Sequence, residues 1–286
     1  MRIAILILAH KNPCQLQLLV ERLQSDFDVY IHLDKGCDIE ESIFGKYSNV
    51  QCIKKYKTRW GSYNGILAPL ELFRIAHKKD YDYYIHISGQ DLPIKPNRNI
   101  VDFLEKNKTV SFIDHHELPW DVWGEDGGLG RIQYYWSHNL GNSVIDSIKK
   151  MFIGIINKMQ FSFNIKRKLS DMTFYGGSNW VNLNKEAVTY LVNYINDNPD
   201  YLSIFKYSVN ADELWMQTIL CNNASFNLTN DSLRYVDWSE SNGKASPREL
   251  TLQDETSIIN HSGLFARKFD ETVDKEIINK ILSMTK

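Results

Sequence analysis

Ile3-Ala4-Ile5-Leu6-Ile7-Leu8-Ala9, then Asn12-Pro13, then Asp28-Val29-Tyr30-Ile31-His32-Leu33-Asp34 is the stretch that decides the fold. The first run is apolar at every position, as a strand covered on both faces requires. Asn12-Pro13 marks a helix start, and Leu16, Leu18, Leu19, Val20 and Leu23 follow at roughly helical spacing. The second run is another strand, ended by Lys35-Gly36. Strand, helix and strand within about 35 residues read as a βαβ unit with parallel pairing.

The alternation continues outward from this unit. Val50 to Ile53 and Tyr83 to Ser88 are strand candidates, with a helix from Gly65 to His77 between them. A helix over Asn99 to Lys106 and a strand over Val110 to Ile113 come next. The expected architecture is therefore α/β, a doubly wound, mostly parallel central sheet flanked by helices. Residues 117–147, rich in Trp, Gly and Tyr, read as a long irregular region. Helices are expected again over Lys185 to Ile195 and Ala211 to Leu220. With no internal repeat or low-complexity linker in view, one domain with insertions is expected over 1–286, its nucleotide-binding half in 1–115 and its acceptor-binding and catalytic half in 116–286.

Composition narrows the function classes. The chain has 286 residues, 43% hydrophobic and 24% charged, which is globular material with ample core. Thirty-three basic residues against 35 acidic leave a net charge of −2, so no overall field argues for nucleic acid. The four cysteines, Cys14, Cys37, Cys52 and Cys221, lie too far apart for a C-x-x-C pair or a zinc spacing. The run Ile3–Ala9 is too short to span a bilayer and lacks a signal-peptide cleavage site, so a cytoplasmic location is expected. Between Ser147 and Ser170 stand six basic residues and no acidic one, interleaved with Met151, Phe152, Ile153, Ile155 and Ile156. Two readings stay open there: a solvated helix face with its loop, or a segment in 149–168 that rests on an anionic membrane or takes an anionic acceptor.

In an open parallel sheet, ligands bind beyond the carboxyl ends of the strands. Three such ends are polar here: His10-Lys11, Asp34-Lys35 and Ser88-Gly89-Gln90-Asp91. No dinucleotide glycine fingerprint and no P-loop is present, which shifts the expectation to sugar-nucleotide transfer. Asp80-Tyr81-Asp82 has the letters of a metal-holding Asp-x-Asp but precedes its strand, and Asp91 alone is one acid where a divalent ion wants several. Cations must then neutralise a leaving diphosphate, and Phe265-Ala-Arg-Lys-Phe269 and Pro247-Arg248 supply them, although Arg267 and Lys268 could equally be charges at a helix end. Asp212-Glu213 opens a helix, where one acid could serve as a cap and the other as a base. Gly176-Gly177 precedes Ser178-Asn179-Trp180, and glycines let a backbone approach a ligand closely. Trp60, Trp120, Trp123 and Trp180 are candidates for sugar stacking, with core packing open to each as the other role.

Six blocks taken together carry a resemblance: Arg59-Trp60-Gly61-Ser62, Ser88 to Lys95, Gly176 to Trp180, Asp212-Glu213, Leu233 to Trp238, and Phe265 to Phe269. They resemble, in order and across nearly the whole chain, glycosyltransferase family 14. That family includes the core-2/I-branching β-1,6-N-acetylglucosaminyltransferases and the peptide O-xylosyltransferases. The resemblance implies a GT-A-like fold, a UDP-sugar donor, inversion at the anomeric carbon and no metal or other cofactor. It implies Glu213 as catalytic base, Arg248 and Lys268 on the diphosphate and Asp34 on the uracil. His10 and Trp60 join the donor site by the same comparison, and Asp91, Ser178, Asn179, Trp180 and Asp212 the sugars. Asn179 stands where the xylosyltransferases carry an acid. The family's animal members are Golgi membrane proteins with disulfides, whereas this chain resembles a trimmed bacterial relative.

The expected function is thus transfer of N-acetylglucosamine or xylose from a UDP-sugar to a hydroxyl of a glycan or lipid-linked saccharide, in bacterial surface polysaccharide synthesis. Two rivals are a non-catalytic protein that binds nucleotide sugars or glycans, and a glycoside hydrolase, which would need paired carboxylates but no cationic diphosphate site.

Overall fold

The computed structural model describes residues 1–136, 144–239 and 246–286. In chain order its elements are β1 (Ile3–Ala9), α1 (Pro13–Leu23), β2 (Asp28–Leu33), β3 (Val50–Ile53), α2 (Asn64–His77), β4 (Tyr83–Ser88), β5 (Leu92–Pro93), α3 (Asn97–Lys106) and β6 (Val110–Phe112). There follow β7 (His116–Glu117), α4 (Gly130–Gln133), α5 (Val144–Ser162), β8 (Tyr175–Gly176), β9 (Asn182–Asn184), α6 (Lys185–Asp197) and α7 (Trp215–Cys221). The chain closes with β10 (Asn227–Thr229), β11 (Arg234–Val236), α8 (Glu255–Asn260), β12 (Phe265–Arg267) and α9 (Lys275–Met284).

The main sheet runs β10-β6-β9-β4-β1-β2-β3. β1 lies at its centre, parallel to β2 and β4, with Ile5 opposite Val29 and Ile85. Its continuous apolar run is explained by two covers. Ile3, Ile5 and Ile7 pack into a core with Leu16, Leu19 and Leu23 of α1, while Ala4 and Leu6 pack into a second with Ile66, Leu70 and Phe73 of α2. The expected mostly parallel α/β sheet is what the structure has. One strand runs against the rest: β9 sits between β4 and β6 and is antiparallel to both. A second sheet, β11-β12-β5, stands beside the first.

Local signals divide into those the structure uses as expected and those it does not. Asn184 caps α6, its side chain accepting the Ala187 amide at 3.0 Å. Pro13 opens α1, but Asn12 does not cap it. Asn12 takes a left-handed conformation with φ 56°, and its amide donates to Asp270 at 2.9 Å. Asp80 and Asp82 lie at the amino end of β4, where Asp80 meets Lys185 at 2.5 Å and Asp82 accepts the Arg2 amide at 2.6 Å.

Candidate active site

A cleft of about 360 Å³ opens at the carboxyl ends of β1, β2 and β4. His10 and Lys11 follow β1, His32 lies near the end of β2, and Ser88 to Gln90 close β4. Thr58 to Gly61 form one wall. Asn179 and Trp180 enter from the start of β9. An antiparallel strand begins where its parallel neighbours end, so the reversal of β9 brings these two residues to the same rim. Asp212 and Arg267 complete the lining.

The floor is cationic. Arg267 is largely buried, its side chain 12% exposed, with its Nε 3.6 Å from Asp91 and its guanidinium 4.2 Å from the centre of the Trp180 ring. Its Nε and Nη1 have no hydrogen-bond partner within the chain. Burial lowers its pKa and Asp91 opposes that shift. Asn179 Oδ1 is likewise buried with no partner. Unmet buried polar atoms beside a cleft are where ligand groups find hydrogen bonds. Trp180 packs between Arg267 and His86, whose ring centre is 5.1 Å away. His86 is fully buried, and desolvation pushes it down to about 3.

The acidic side of the cleft is Asp212-Glu213. Neither residue caps a helix: both sit in a tight turn over Ala211–Glu213 that ends before α7 begins at Trp215. Asp212 lines the cleft. Desolvation, and next the neighbouring Glu213 charge, push its carboxyl up to about 7. Glu213 is half-buried behind it and bound to Arg131 Nη1 at 2.5 Å. Burial raises the Glu213 carboxyl as well, Arg131 opposes the rise, and Asp114 adds to it. Arg131 is itself held, its guanidinium 3.7 Å from the Trp123 ring centre. Trp120 stacks on His116 at 3.6 Å and stands beside Trp123 at 5.5 Å. Glu213 therefore lies between the cationic cleft and an aromatic wall.

His10, Trp60, Asn179, Trp180 and Asp212 thus lie together in the cleft, and the other expected site residues do not line it. Arg248 is engaged elsewhere. Its Nε and Nη2 donate to Asp237 at 2.9 and 2.6 Å, and its Nη1 and Nη2 to Asp254 at 2.9 and 2.5 Å. With its Nη1 also donating to the Glu249 carbonyl at 3.3 Å, its donors are spent on tying the chain after β11 to the turn before α8. Asp91 is fully buried, accepts from Ser88 N and Oγ, and faces Arg267. Ser178 takes part in a turn, its amide donating to Asp114 and its carbonyl accepting from Gln217. Asp34 spends both oxygens within the chain, one on the Gly36 amide of its own loop at 2.6 Å and the other on Thr58 N and Oγ in the loop after β3. Burial alone would raise its carboxyl; the Thr58 hydroxyl and the two amides outweigh that and hold it low. Lys268 pairs with Glu249 at 2.8 Å and lies near enough to His10 to help lower its pKa, after burial and Lys11. Arg267 and Lys268 belong to β12 and the loop after it, not to a helix end. Trp60 is not core material, since it is 66% exposed at the mouth of the cleft.

The two glycines have a purpose other than ligand approach. A Cβ on Gly176 would enter the Trp123 ring, and one on Gly177 would enter the Asp114 backbone carbonyl. Gly177 N donates to the Glu213 carbonyl at 2.9 Å, so this close passage seats the acidic turn. Gly177→Ala is expected to cost about 1–3 kcal/mol by overpacking, a fall of several degrees in melting temperature; an unchanged melt would show that the strand has room to move.

A model of the family described as "Core-2/I-Branching enzyme" matches residues 3–260. Beta-glucuronosyltransferase GlcAT14A of Arabidopsis thaliana is 25% identical over 283 residues, which are 87% of this chain and 58% of the relative. A xylosyltransferase of Ciona intestinalis is 24% identical over 318 residues, covering 98% of this chain and 34% of the relative. The chain thus spans from about a third to under two thirds of the length of these curated relatives. Among solved structures, S. aureus TarS 1-349 aligns at a TM-score of 0.35 and 10% identity, covering 81% of this chain and 58% of TarS.

Proposed function

The chain belongs to the core-2/I-branching enzyme family, and on that premise we propose that it is an inverting, metal-independent glycosyltransferase that moves a sugar from a UDP-sugar to a hydroxyl of a glycan or lipid-linked acceptor. Xylose and N-acetylglucosamine are the donor sugars proposed. The observation that carries this reading is that one cleft is lined by both Arg267, whose Nε and Nη1 lack a hydrogen-bond partner, and Asp212, with the Glu213 carboxylate next to it in the same turn.

Each group then has a role. Glu213 removes the proton from the acceptor hydroxyl as its oxygen bonds to C1 of the donor sugar. The bond from C1 to the β-phosphate oxygen breaks, and its electron pair leaves with UDP. Charge growing on that phosphate is met by Arg267, and by Lys268 once it turns from Glu249. Preorganised cations of this kind supply several kcal/mol of transition-state stabilisation. His10, Trp60 and Thr58 hold the nucleoside end, and Asn179 Oδ1 accepts from a donor-sugar hydroxyl. The wall of Trp120, Trp123 and His116 beside Glu213 suits the flat face of an acceptor sugar. The rival hydrolase reading gives the Arg267 guanidinium that lines the cleft no work. A non-catalytic binder gives none to two carboxyls raised by burial beside the cleft. Synthesis of a bacterial surface polysaccharide is the setting proposed, on the cytoplasmic side of a membrane.

The test is a thermal-shift and calorimetric screen of UDP, UDP-xylose, UDP-N-acetylglucosamine and UDP-glucuronate, with and without EDTA. A ligand at 100 times its Kd is expected to add about 2.7 kcal/mol of stability. Binding that survives EDTA supports the metal-independent donor site and names the sugar. No response to any uridine nucleotide removes the donor assignment.

A further inference from the structure

One large surface has no part in the chemistry above. Helix α5 leaves the body of the protein with Ile148, Met151, Phe152, Ile155, Ile156 and Met159 each at least half exposed. At 3.6 residues per turn these six positions share one stripe roughly 140° wide. The last turn of the helix, off the stripe, is tied to the protein. Gln160 is buried and clamps Tyr135, accepting from its amide at 2.9 Å and donating to its carbonyl at 3.0 Å. Phe161 packs edge-on against Tyr134 at 4.5 Å. The apolar stripe is therefore aimed outward. It continues past the helix into Phe163, which is 71% exposed, and Ile165.

The charge along the stripe is mostly positive, with Asp146 in the first turn of α5 and Asp171 after the segment as the flanking acids. Between Ser147 and Ser170 the sequence has six Lys or Arg and no Asp or Glu. Lys149 and Lys150 have side chains outside the described residues, and Lys158 borders the stripe. Lys166, Arg167 and Lys168 follow Phe163 and Ile165. Arg167 is anchored: its amide donates to the Gln133 carbonyl at 2.7 Å and its Nη2 to the Ile204 carbonyl at 2.6 Å. Tyr135 and Tyr207, whose rings meet at 5.9 Å, stand half-exposed at the base of the helix. Tyrosines with one wet end suit a membrane–water interface.

The geometry points to a peripheral membrane contact: the α5 stripe lies in the plane of an anionic phospholipid surface, with the basic residues over its headgroups. Charge complementarity selects this occupant. A second copy of the chain would bring an equal excess of positive charge to the same face, six Lys or Arg against Asp146 and Asp171. Among the described residues no helix is long and apolar enough to cross a membrane, whereas an amphipathic helix with a cationic border lies along one. The inference does not rest on the transferase reading. It would, however, present Arg131 and Glu213 near the lipid surface, because Gln133, which accepts the Arg167 amide, ends the same helix α4 that carries Arg131.

Vesicle flotation of the whole chain tests it, with phosphatidylcholine vesicles against vesicles containing about one third phosphatidylglycerol. The chain is expected to float with the anionic vesicles, at least tenfold less with the neutral ones, and less as salt rises. Phe152→Ser with Ile155→Ser is expected to lower binding at least tenfold while melting and UDP response stay unchanged, because both side chains are exposed. Lys158→Glu is expected to weaken binding about fivefold or more. No flotation, or equal flotation with neutral vesicles, overturns the inference. So does a dimer seen by light scattering that the double variant abolishes, which would assign the stripe to a second copy. A collapse in melting temperature of the double variant overturns it too, by placing the stripe inside a packed core.

Discussion

Glu213→Gln is expected to lower turnover by about 10²- to 10⁴-fold, the range that general-base assistance supplies, and to leave UDP affinity and melting temperature where they were. The substitution keeps size and shape, and the amide oxygen can still accept from Arg131, which now binds Glu213 at 2.5 Å. Only the ability to take a proton is lost. The pH dependence carries a second signature. Burial raises the Glu213 carboxyl and Asp212 is pushed up to about 7. A carboxyl that is raised stays protonated, and so inactive as a base, to a higher pH than an ordinary one. Activity should therefore climb with pH on its acid side later than for an unperturbed carboxylate, and Glu213→Gln should flatten that limb. Steady-state kinetics across pH on Glu213→Gln and Asp212→Asn separate the two acids. Normal turnover in the Gln variant with inactive Asp212→Asn would move the base by one residue; loss of UDP binding in Glu213→Gln would make Glu213 structural.

Arg267→Met is expected to weaken UDP-sugar binding by about a hundredfold or more. Two charge-assisted hydrogen bonds to phosphate, each worth about 1.5–3 kcal/mol, account for that loss at about 1.4 kcal/mol per factor of ten. The residue is poised for them, since it lines the cleft and its Nε and Nη1 lack a hydrogen-bond partner while the guanidinium lies against the Trp180 ring. A modest loss of stability should accompany the change, because Asp91 loses its countercharge but keeps Ser88 N and Oγ. Calorimetric titration with UDP decides the matter. Unchanged affinity would take Arg267 out of the donor site and leave it a structural partner of Asp91. Lys268→Ala, which breaks the pair with Glu249, makes a useful comparison because Lys268 is the more flexible cation.

What the residues disclosed in advance and what they concealed divide along a physical line. Continuous apolar runs and helical spacing are local signals, and they located β1, β2, β3, β4 and α2 to within a residue or so. Motif order was a signal along the whole chain and indicated the family before any geometry was known. Long-range pairing was invisible. Arg248 looked like a phosphate cation because nothing local shows that Asp237 and Asp254 enclose it. The partner of Glu213 is Arg131, 82 residues away, in a stretch without a regular period. Gly176-Gly177 reads as ligand approach in a string of letters, yet Trp123 and Asp114 are what approach. Asp212 and Glu213 read alike, and only the turn that carries them shows which one lines the cleft.

The placement of β9 also bears on how the molecule assembles. β4 and β6 are near in sequence, yet a strand from far downstream separates them in the sheet. A chain grown only as far as residue 115 would present β4 with one side unpaired and β6 with no neighbour in the sheet, since β10 and β9 both arrive later. Unpaired strand edges invite misassociation. Residues 1–115 and 116–286 share one sheet and are thus not two separately foldable pieces. The step that completes the sheet also delivers Asn179 and Trp180 to the cleft, so a chain unable to close its sheet would have no formed pocket.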